Sequence, residues 1–398
     1  MRQEPYVRKL KETTKDILIR FRKALVDLSH RVHSDPELGF QEEHASEWMA
    51  NFLSDAGFQV ETGICDLPTA FCARRGSGPL RIAVCAEYDA LPEIGHACGH
   101  NIIAAAAAGA AIAAAAVADE LGITVEIIGT PGEEVGNAAG KVLLLERGAF
   151  SDVHAALMVH PGPVDVATPT IIALSMLDIQ YRGRESHASA FPEYGINAAD
   201  ALTVAQTSIG LLRQHFRQTD RVHGITTKGG DAPNIIPAHT TARYFVRARD
   251  LQELTELKTK VQNCFEAGAL ATGSTLCMIG GDKPYAQMAH DPALVAIYKR
   301  NCESLGRTFQ VSAAARAAIS TDMGNVSLVI PSIHPMIGIN SLPAVNHQAA
   351  FAAHCVSEAG DRAIFDGALG MAWTIIDAAG DNEVRRHLLS RSLAPSEK

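Results

Sequence analysis

A thiol and two imidazoles lie within five residues of one another, at His96, Cys98 and His100. One glycine separates Cys98 from His100, and it lets the backbone turn so that both donor atoms can approach one point. Thiolate and neutral imidazole are ligands that protein zinc sites use. The segment therefore predicts half of a metal site, and the other ligands must come from further along the chain.

Carboxylates and another imidazole follow two later apolar runs. Glu133 and Glu134 come after one run, and His160 ends the next. Adjacent side chains at a strand end point to opposite sides, so one carboxylate can bind a metal ion while the other faces a substrate. Ligands gather at strand ends in α/β sheets. The pattern predicts acid/base chemistry beside a metal ion at such an edge.

Seven motifs, in order, resemble the M20 metallopeptidase family, and most closely its amidohydrolase and aminoacylase branch. That branch includes aminobenzoyl-glutamate hydrolases and M20-domain-containing dipeptidases. The motifs occupy residues 88–92, 95–100, 129–134, 160–161, 186–187, 229–237 and 320–325. The resemblance implies a metal-dependent hydrolase that cleaves the amide bond of an N-acyl amino acid or a small dipeptide. An aminobenzoyl-glutamate conjugate or a basic dipeptide is the alternative substrate.

The resemblance also implies a ligand set for two divalent metal ions. The ligands implied are Cys98, His100, Glu134, His160 and His347. Zinc suits thiolate and imidazole best, and manganese or cobalt is the alternative. Glu87 stands where other branches of the family place a histidine ligand, and Gln348 stands where the family often has threonine. His334 competes with His347 for the last ligand position.

Three catalytic roles follow from the same resemblance. Glu133 is the implied general base, which takes a proton from water and delivers it to the leaving amine. Asp89 is implied to orient a metal-bound imidazole through a hydrogen bond. His187 is implied to stabilise the oxyanion of the tetrahedral intermediate, commonly from the partner subunit. His96 lies one residue outside the pattern and is expected to be structural.

Four residues are candidates for substrate contact. Asn234 lies in the 229–237 loop, and Thr321 and Asp322 lie in a segment that resembles the lining of the family's substrate cleft. Arg247 is a candidate clamp for a substrate carboxylate, because a planar guanidinium can grip a carboxylate through two hydrogen bonds.

The elements that must position these residues alternate between helix and strand, which predicts an α/β fold with a mostly parallel or mixed sheet covered by helices on both faces. Residues 1–174 and 290–398 are expected to form a discontinuous catalytic domain, with a strand over 326–330. Residues 175–289 show the order strand, helix, strand, strand, helix, strand, which is typical of a ferredoxin-like domain. This insertion resembles the family's lid and dimerisation domain, which implies a homodimer.

Composition excludes several other classes of function. The chain of 398 residues is 47% hydrophobic, carries a net charge of −9 and has no run of basic residues, so nucleic acid is not expected as a partner. The alanine-rich run at 102–118 is too short to span a bilayer and predicts a buried helix instead. Eight irregularly spaced cysteines and an N-terminus without an apolar stretch indicate a reducing cytoplasm.

Two rival hypotheses belong to other classes. One is a protein that binds amino-acid conjugates without turnover, and purification without metal would favour it. The other is an amidase with Cys98 as nucleophile and a nearby histidine as base. Sensitivity to thiol alkylation together with indifference to chelators would favour the second.

Replacing Arg247 with alanine tests the carboxylate clamp. Hydrogen bonds to charged groups contribute about 1.5–3 kcal/mol, so we expect KM for a carboxylate-bearing substrate to rise by about tenfold or more. Steady-state kinetics measure the change, and an unchanged KM would remove Arg247 from the substrate site.

Overall fold

The computed structural model describes residues 3–310 and 318–390. The chain forms two compact units. The first contains the described residues up to Val135, Ala139–Ile171 and those from Met288 onward. The second contains Gly136–Ala138 and Ile172–Gln287, and the insertion predicted over 175–289 overlaps it.

The strands and helices are numbered in chain order. The strands are β1 Gln59–Thr62, β2 Phe71–Gly76, β3 Leu80–Ala86, β4 Ile123–Gly129, β5 Ala155–Leu157, β6 His160–Gly162, β7 Thr170–Ile171, β8 Ala173–Arg182, β9 Arg221–Lys228, β10 His239–Ala248, β11 Thr275–Ile279, β12 Ala318–Ile319, β13 Ser332–Ile333 and β14 Met336–Gly338. The helices are α1 Gln3–Ser34, α2 Glu43–Asp55, α3 His100–Ala115, α4 Ala118–Leu121, α5 Gly140–Glu146, α6 Ala198–Leu212, α7 Leu251–Thr272, α8 Pro292–Ser304, α9 Met323–Ser327, α10 Ala349–His354, α11 Glu358–Gly380 and α12 Asn382–Ser390.

A six-stranded mixed sheet in the order β1-β2-β4-β3-β5-β13 forms the centre of the first unit. Strands β3, β4, β5 and β13 run parallel to one another. At one edge, β2 pairs antiparallel with β4, and β1 pairs antiparallel with β2. The predicted α/β class with a mixed sheet is therefore confirmed. Because parallel strands share a direction, the segments that follow β3, β4 and β5 emerge at one edge of the sheet.

The two faces of this sheet belong to two different apolar clusters. On β3, Ile82 and Val84 pack in the cluster that includes α1, α3 and α11, whereas Ala83 and Cys85 pack with Leu144 on the opposite side. Successive side chains of a strand point to opposite faces, so this division follows from the strand geometry. Helices thus cover both faces, as the sequence predicts.

Helix α3 is the alanine-rich segment, and every one of its residues is buried. It packs against α1, α11, β3 and β4. Small side chains allow this close packing, and a Cβ added at Gly109 would lie 2.9 Å from Ala368 Cβ and 3.0 Å from Leu25 Cδ1. Among the described residues, no helix combines the length and apolarity needed to cross a bilayer. The packing fixes the start of α3, where His100 lies.

The strand predicted over 326–330 is wrong, because the chain forms helix α9 and a turn there. Val326 and Ile330 are buried, whereas Leu328 and Val329 are about half exposed, at 43% and 54%. Apolar residues spaced four apart share one helical face, and here that face contacts the core. A short apolar run cannot by itself distinguish a strand from a helical turn.

The second unit has the predicted order of elements, β8-α6-β9-β10-α7-β11. Its antiparallel sheet has the strand order β11-β8-β10-β9, and α6 and α7 pack on each other and on this sheet. Alternate residues of β8, namely Leu177, Ile179 and Tyr181, are buried in the cluster that the helices complete.

Replacing Gly109 with valine tests the close packing of α3. The added side chain would overlap neighbours on α1 and α11, and overpacking of this kind typically costs about 1–3 kcal/mol of unfolding free energy. Urea denaturation followed by circular dichroism measures this change.

The matched control is Gly210→Val on α6, where an added Cβ has no neighbour within 4 Å. Valine has a higher helix propensity than glycine, so we expect unchanged or slightly higher stability there. Equal destabilisation by both substitutions would contradict the packing explanation.

Candidate metal centre

The turn that presents Cys98 and His100 requires glycine between them. Gly99 has φ +82°, and a Cβ at this position would lie 2.5 Å from Pro161 Cγ. A residue with a side chain would be strained in this backbone conformation and would also overlap the proline ring. The turn therefore places the Cys98 thiol and the His100 ring in the protein interior, where the two side chains are almost completely buried.

Donor atoms from four segments of the first unit converge at this turn. Three groups of ligand atoms have all their members within 4.8 Å of one another: Cys98 with His100 and His160, Cys98 with Glu134 and His347, and His100 with Glu133 and Glu134. The Cys98 Sγ lies 3.4 Å from His160 Nε2 and 3.6 Å from His347 Nε2. All five residues predicted as ligands are thus brought together around one shared thiol.

The Nδ1 atoms of His100 and His160 each have a hydrogen-bond partner. His100 Nδ1 lies 2.8 Å from Asp89 Oδ1, and His160 Nδ1 lies 2.8 Å from the Pro161 carbonyl oxygen. Such contacts orient a ligand ring and select the tautomer whose Nε2 is available to a metal ion. The two rings meet edge to face, with centroids 5.8 Å apart.

Unpaired buried atoms provide a test of whether a metal ion fits this site. His100 Nε2 and Glu134 Oε1 are buried 4.0 Å apart, and neither makes a hydrogen bond within the described part of the chain. Buried polar atoms are rarely left unpaired in native proteins. A cation would satisfy both atoms, and the thiolate, imidazole and carboxylate donors suit a divalent ion. The residues present therefore fit a metal.

Burial and nearby carboxylates set the protonation of the site. Burial lowers the pKa of His160 to about 4, so this ring is neutral at neutral pH and ready to act as a ligand. Although burial opposes it, the Asp89 carboxylate holds the pKa of His100 well above its usual range. Burial, and then the Glu87 and Glu134 carboxylates, raise the pKa of Glu133. A raised pKa suits a carboxylate that must accept and then release a proton.

Asp89 joins the two halves of the site. While Oδ1 contacts His100, Oδ2 accepts a hydrogen bond of 2.9 Å from the Glu134 backbone N–H. One carboxylate thereby fixes both the ring at the start of α3 and the loop after β4. The orienting role predicted for Asp89 requires a contact of this kind.

A second buried carboxylate, Glu42, was missed from the sequence. Its Oε1 accepts a hydrogen bond of 2.7 Å from the Gly132 N–H, and its Oε2 accepts one of 3.0 Å from the Thr69 hydroxyl. Burial, and then Asp89, raise the pKa of Glu42 to about 7. No motif marks this residue, because it is distant in sequence from the loop that it holds.

Lys141 was also missed, and its position bears on the prediction for Asp322. Both oxygens of Asp322 contact Lys141, and the Asp322 side chain is completely buried. Thr321 is buried as well, and its hydroxyl accepts a hydrogen bond from the Met323 N–H. The substrate-binding role of Thr321 and Asp322 stays a prediction.

The two candidates for the last ligand differ in position. His347 belongs to a ligand group with Cys98, and its side chain is 58% exposed, so it lies at the mouth of the site. The backbone at His347 is left-handed, with φ +68°, and its N–H donates a hydrogen bond to the Ala97 carbonyl. His334 is completely buried, packs 5.5 Å from the His160 ring and joins none of the groups of potential ligands found in the described chain. This geometry favours His347.

Three predicted residues lie in the second unit. His187 and Asn234 are exposed and lie on two segments joined by a β-bridge between His187 and Ile235. The His187 Nδ1 accepts a hydrogen bond of 3.2 Å from the Ala190 N–H. Arg247 lies on β10 with its guanidinium 5.6 Å from the centroid of the Phe245 ring. Their roles in catalysis and substrate binding stay predictions.

Comparison with known proteins supports the resemblance to the M20 metallopeptidase family. Residues 174–272 match the peptidase dimerisation domain of the M20 type. The chain is 37% identical over 367 residues to an Xaa-Arg dipeptidase of Mus musculus, and the alignment covers 88% of this chain and 84% of the relative. It is 34% identical over 279 residues to one of the subunits of the p-aminobenzoyl-glutamate hydrolase of Escherichia coli (strain K12), where the alignment covers 64% of this chain and 57% of the relative.

A solved structure shares the fold. It is that of a dinuclear metal-binding peptidase of the M20 family from Bacillus subtilis, with a TM-score of 0.67 and 21% sequence identity. The alignment covers 90% of this chain and 98% of that protein.

Replacing Asp89 with asparagine tests the contact that joins the two halves of the site. The amide cannot hold the His100 ring as a carboxylate does, and the loss of such a partner typically weakens metal affinity about 10–100-fold. Competition with a chromogenic chelator measures the metal dissociation constant.

Asp377→Asn is the matched control, because Asp377 is also largely buried and pairs with Lys11 elsewhere in the first unit. We expect its metal affinity to equal that of the wild type. Unchanged affinity in Asp89→Asn would show that the contact does not position a ligand.

Proposed function

Because the chain belongs to the M20 family of metallopeptidases, we propose that it hydrolyses the amide bond of a small dipeptide or an N-acyl amino acid. The class of activity, a hydrolase of amide bonds, is shared with its relatives. The observation that carries the proposal is the convergence of Cys98, His100, Glu134, His160 and His347 beside the buried carboxylate of Glu133.

We propose that these five residues would hold two divalent ions. Thiolate and imidazole favour zinc, and manganese or cobalt is the alternative. When bound, divalent ions polarise a substrate carbonyl and lower the pKa of a water to about 7.

Glu133 carries the proton in this proposal. Its carboxylate removes a proton from the water that attacks the amide carbon, and the new carbon–oxygen bond gives a tetrahedral intermediate. The protonated carboxyl then gives that proton to the nitrogen as the carbon–nitrogen bond breaks, which releases a carboxylate and an amine. The raised pKa of Glu133 suits both transfers. His187 of the partner subunit is proposed to stabilise the oxyanion.

The relatives narrow the substrate. The dipeptidase of Mus musculus is named for Xaa-Arg dipeptides, and the match extends over most of both chains. We therefore rank a dipeptide with a C-terminal basic residue first, and an aminobenzoyl-glutamate conjugate second. Arg247, Asn234, Thr321 and Asp322 are the proposed substrate contacts, and the role proposed for Arg247 is to bind a substrate carboxylate.

The proposal also includes an oligomeric state and a cellular compartment. The match to a peptidase dimerisation domain supports a homodimer, which light scattering after gel filtration would measure. Each of the eight cysteines is a free thiol, which supports a reducing cytoplasm as the compartment.

The rival mechanism with Cys98 as nucleophile has less support. Burial, and then the Glu134 carboxylate, raise the pKa of the Cys98 thiol well above its usual range. Reactive cysteines have lowered pKa values, because the thiolate is the nucleophile. The raised pKa therefore disfavours Cys98 as a nucleophile, whereas a bound divalent ion would itself deprotonate a coordinating thiol.

Substitutions at Glu133 and Glu134 distinguish the proposed general base from the proposed metal ligand. Glu133→Gln should retain metal and lower kcat by about 10²–10⁴-fold, because the amide cannot accept the proton. Glu134→Gln should lose both metal and activity, because it removes a proposed ligand. Elemental analysis measures the metal, and release of free amino acid from a panel of Xaa-Arg dipeptides, N-acyl amino acids and p-aminobenzoyl-glutamate measures turnover.

Treatment of the wild type with a chelator is the control for metal dependence, and turnover should stop and return when metal is added. Turnover that survives both chelation and Glu133→Gln would overturn the proposed mechanism. Thiol alkylation would then test Cys98 as the nucleophile.

A further inference from the structure

Lys141 lies at the start of α5 and is completely buried. Its ammonium contacts the Glu87 Oε1 atom and lies 2.7 Å from Asp322 Oδ1. Its backbone N–H also donates a hydrogen bond of 2.8 Å to Asp322 Oδ2. One lysine is therefore held by two carboxylates that come from the end of β3 and the start of α9.

These two carboxylates and Glu133 form a compact acidic cluster. Glu87, Glu133 and Asp322 each offer an oxygen, these oxygens lie within 4.8 Å of one another, and all three residues are buried. The Glu87 Oε2 atom makes no hydrogen bond in the described segments, although it lies 3.4 Å from His100 Nε2. Buried carboxylates this close together are strongly destabilising unless a positive charge lies among them.

The ammonium of Lys141 supplies that positive charge. Although burial opposes it, the Asp322 and Glu87 carboxylates hold the pKa of Lys141 above its usual range. The lysine is therefore charged at neutral pH.

We propose that Lys141 is a built-in cation that takes the place of a further divalent ion among Glu87, Glu133 and Asp322, and so keeps Glu133 available as a base. This rests on the proposed function for the role of Glu133, but the exclusion of a metal ion from the cluster does not depend on activity. Lys141 acts through its neighbours and is a positioning residue.

The need for such a cation follows from the chemistry of the two neighbouring sites. The predicted ligands around Cys98 include sulfur and nitrogen atoms, which suit zinc and similar ions. The cluster around Lys141 offers only carboxylate oxygens, which are the ligands that hard cations such as calcium prefer. If a metal ion bound there, it would occupy the Glu133 oxygen that must accept a proton.

Calcium is therefore the probe of choice, because it distinguishes the oxygen-only cluster from the sites with sulfur and nitrogen donors. Lys141→Met removes the charge and keeps a flexible side chain of similar length. We expect this variant, with its other metals left in place, to bind one calcium ion per chain in equilibrium dialysis. The wild type should bind none.

Two matched variants distinguish the effect of the Lys141 charge from the effect of its packing. Lys141→Arg keeps the positive charge and should bind no calcium, although its side chain is larger than that of methionine. Lys11→Met breaks a lysine–carboxylate pair with Asp377 elsewhere in the same unit, where the separation is 2.6 Å, and it should also bind no calcium. A purely structural role for Lys141 would give no calcium binding in any of these variants.

Removal of the carboxylates identifies the site that binds calcium. Adding Glu87→Gln and Asp322→Asn to Lys141→Met should abolish calcium binding, because two of the three oxygen donors lose their charge. Calcium binding that persists in this triple variant would place the ion elsewhere and overturn the proposal.

Poor folding of Lys141→Met is itself informative. If the variant is unfolded without calcium, calcium chloride should restore its near-ultraviolet circular dichroism, whereas sodium chloride of equal ionic strength should not. Failure of calcium to restore the fold, or a folded variant that binds no calcium, would overturn the proposal. If the wild type has no amidase activity but Lys141→Met binds calcium, the proposed function is wrong and this inference still holds.

Discussion

The burial of several carboxylates around one histidine is the constraint on which the rest of the site depends. Glu87, Asp89 and Glu133 lie in the interior near His100, and each would be costly there without a nearby positive charge or hydrogen-bond donor. The chain supplies these partners in three forms: backbone N–H groups, the His100 ring and the Lys141 ammonium. The space beside Cys98 has unpaired donor atoms and fits a metal ion.

The scaffold holds these charges by close packing. The alanine helix α3 is buried along its whole length, so it cannot shift without moving α1, α11 and the sheet. Its first residue is His100, and the glycine before it has a backbone conformation and a close contact with Pro161 that exclude larger residues. Interiors packed at this density tolerate little displacement. The positions of the thiol and the ring are therefore set by the core of the first unit.

The same constraint gives the buried carboxylates different contacts. Both carboxylate oxygens of Asp89 contact protein groups, and these contacts fix the His100 ring and the loop after β4. Asp322 likewise contacts only Lys141 through its two oxygens, as far as the described chain shows. Glu134 keeps a buried oxygen without a hydrogen bond beside His100, as a metal ligand requires. Carboxylates of similar chemistry thus have different environments because their neighbours differ.

Much of the fold and the donor set followed from the sequence, because strand and helix periods are local and a Cys-Gly-His turn is a short motif. The order of elements, the inserted segment and the five clustered donors were all predicted. The strand over 326–330 was wrong, since burial of Val326 and Ile330 on a helical face depends on the core around them. The sequence did not reveal Glu42 and Lys141 as site residues, because each contacts the residues of the site only in the folded chain.

What the sequence by itself determined is therefore which donor atoms exist and which segments present them. Only the tertiary structure decided which of these donors meet. His347 lies beside Cys98, whereas His334 is buried beside His160, although both histidines are near the end of the chain. Contacts between distant segments depend on how whole elements pack, and no local pattern of residues encodes that packing.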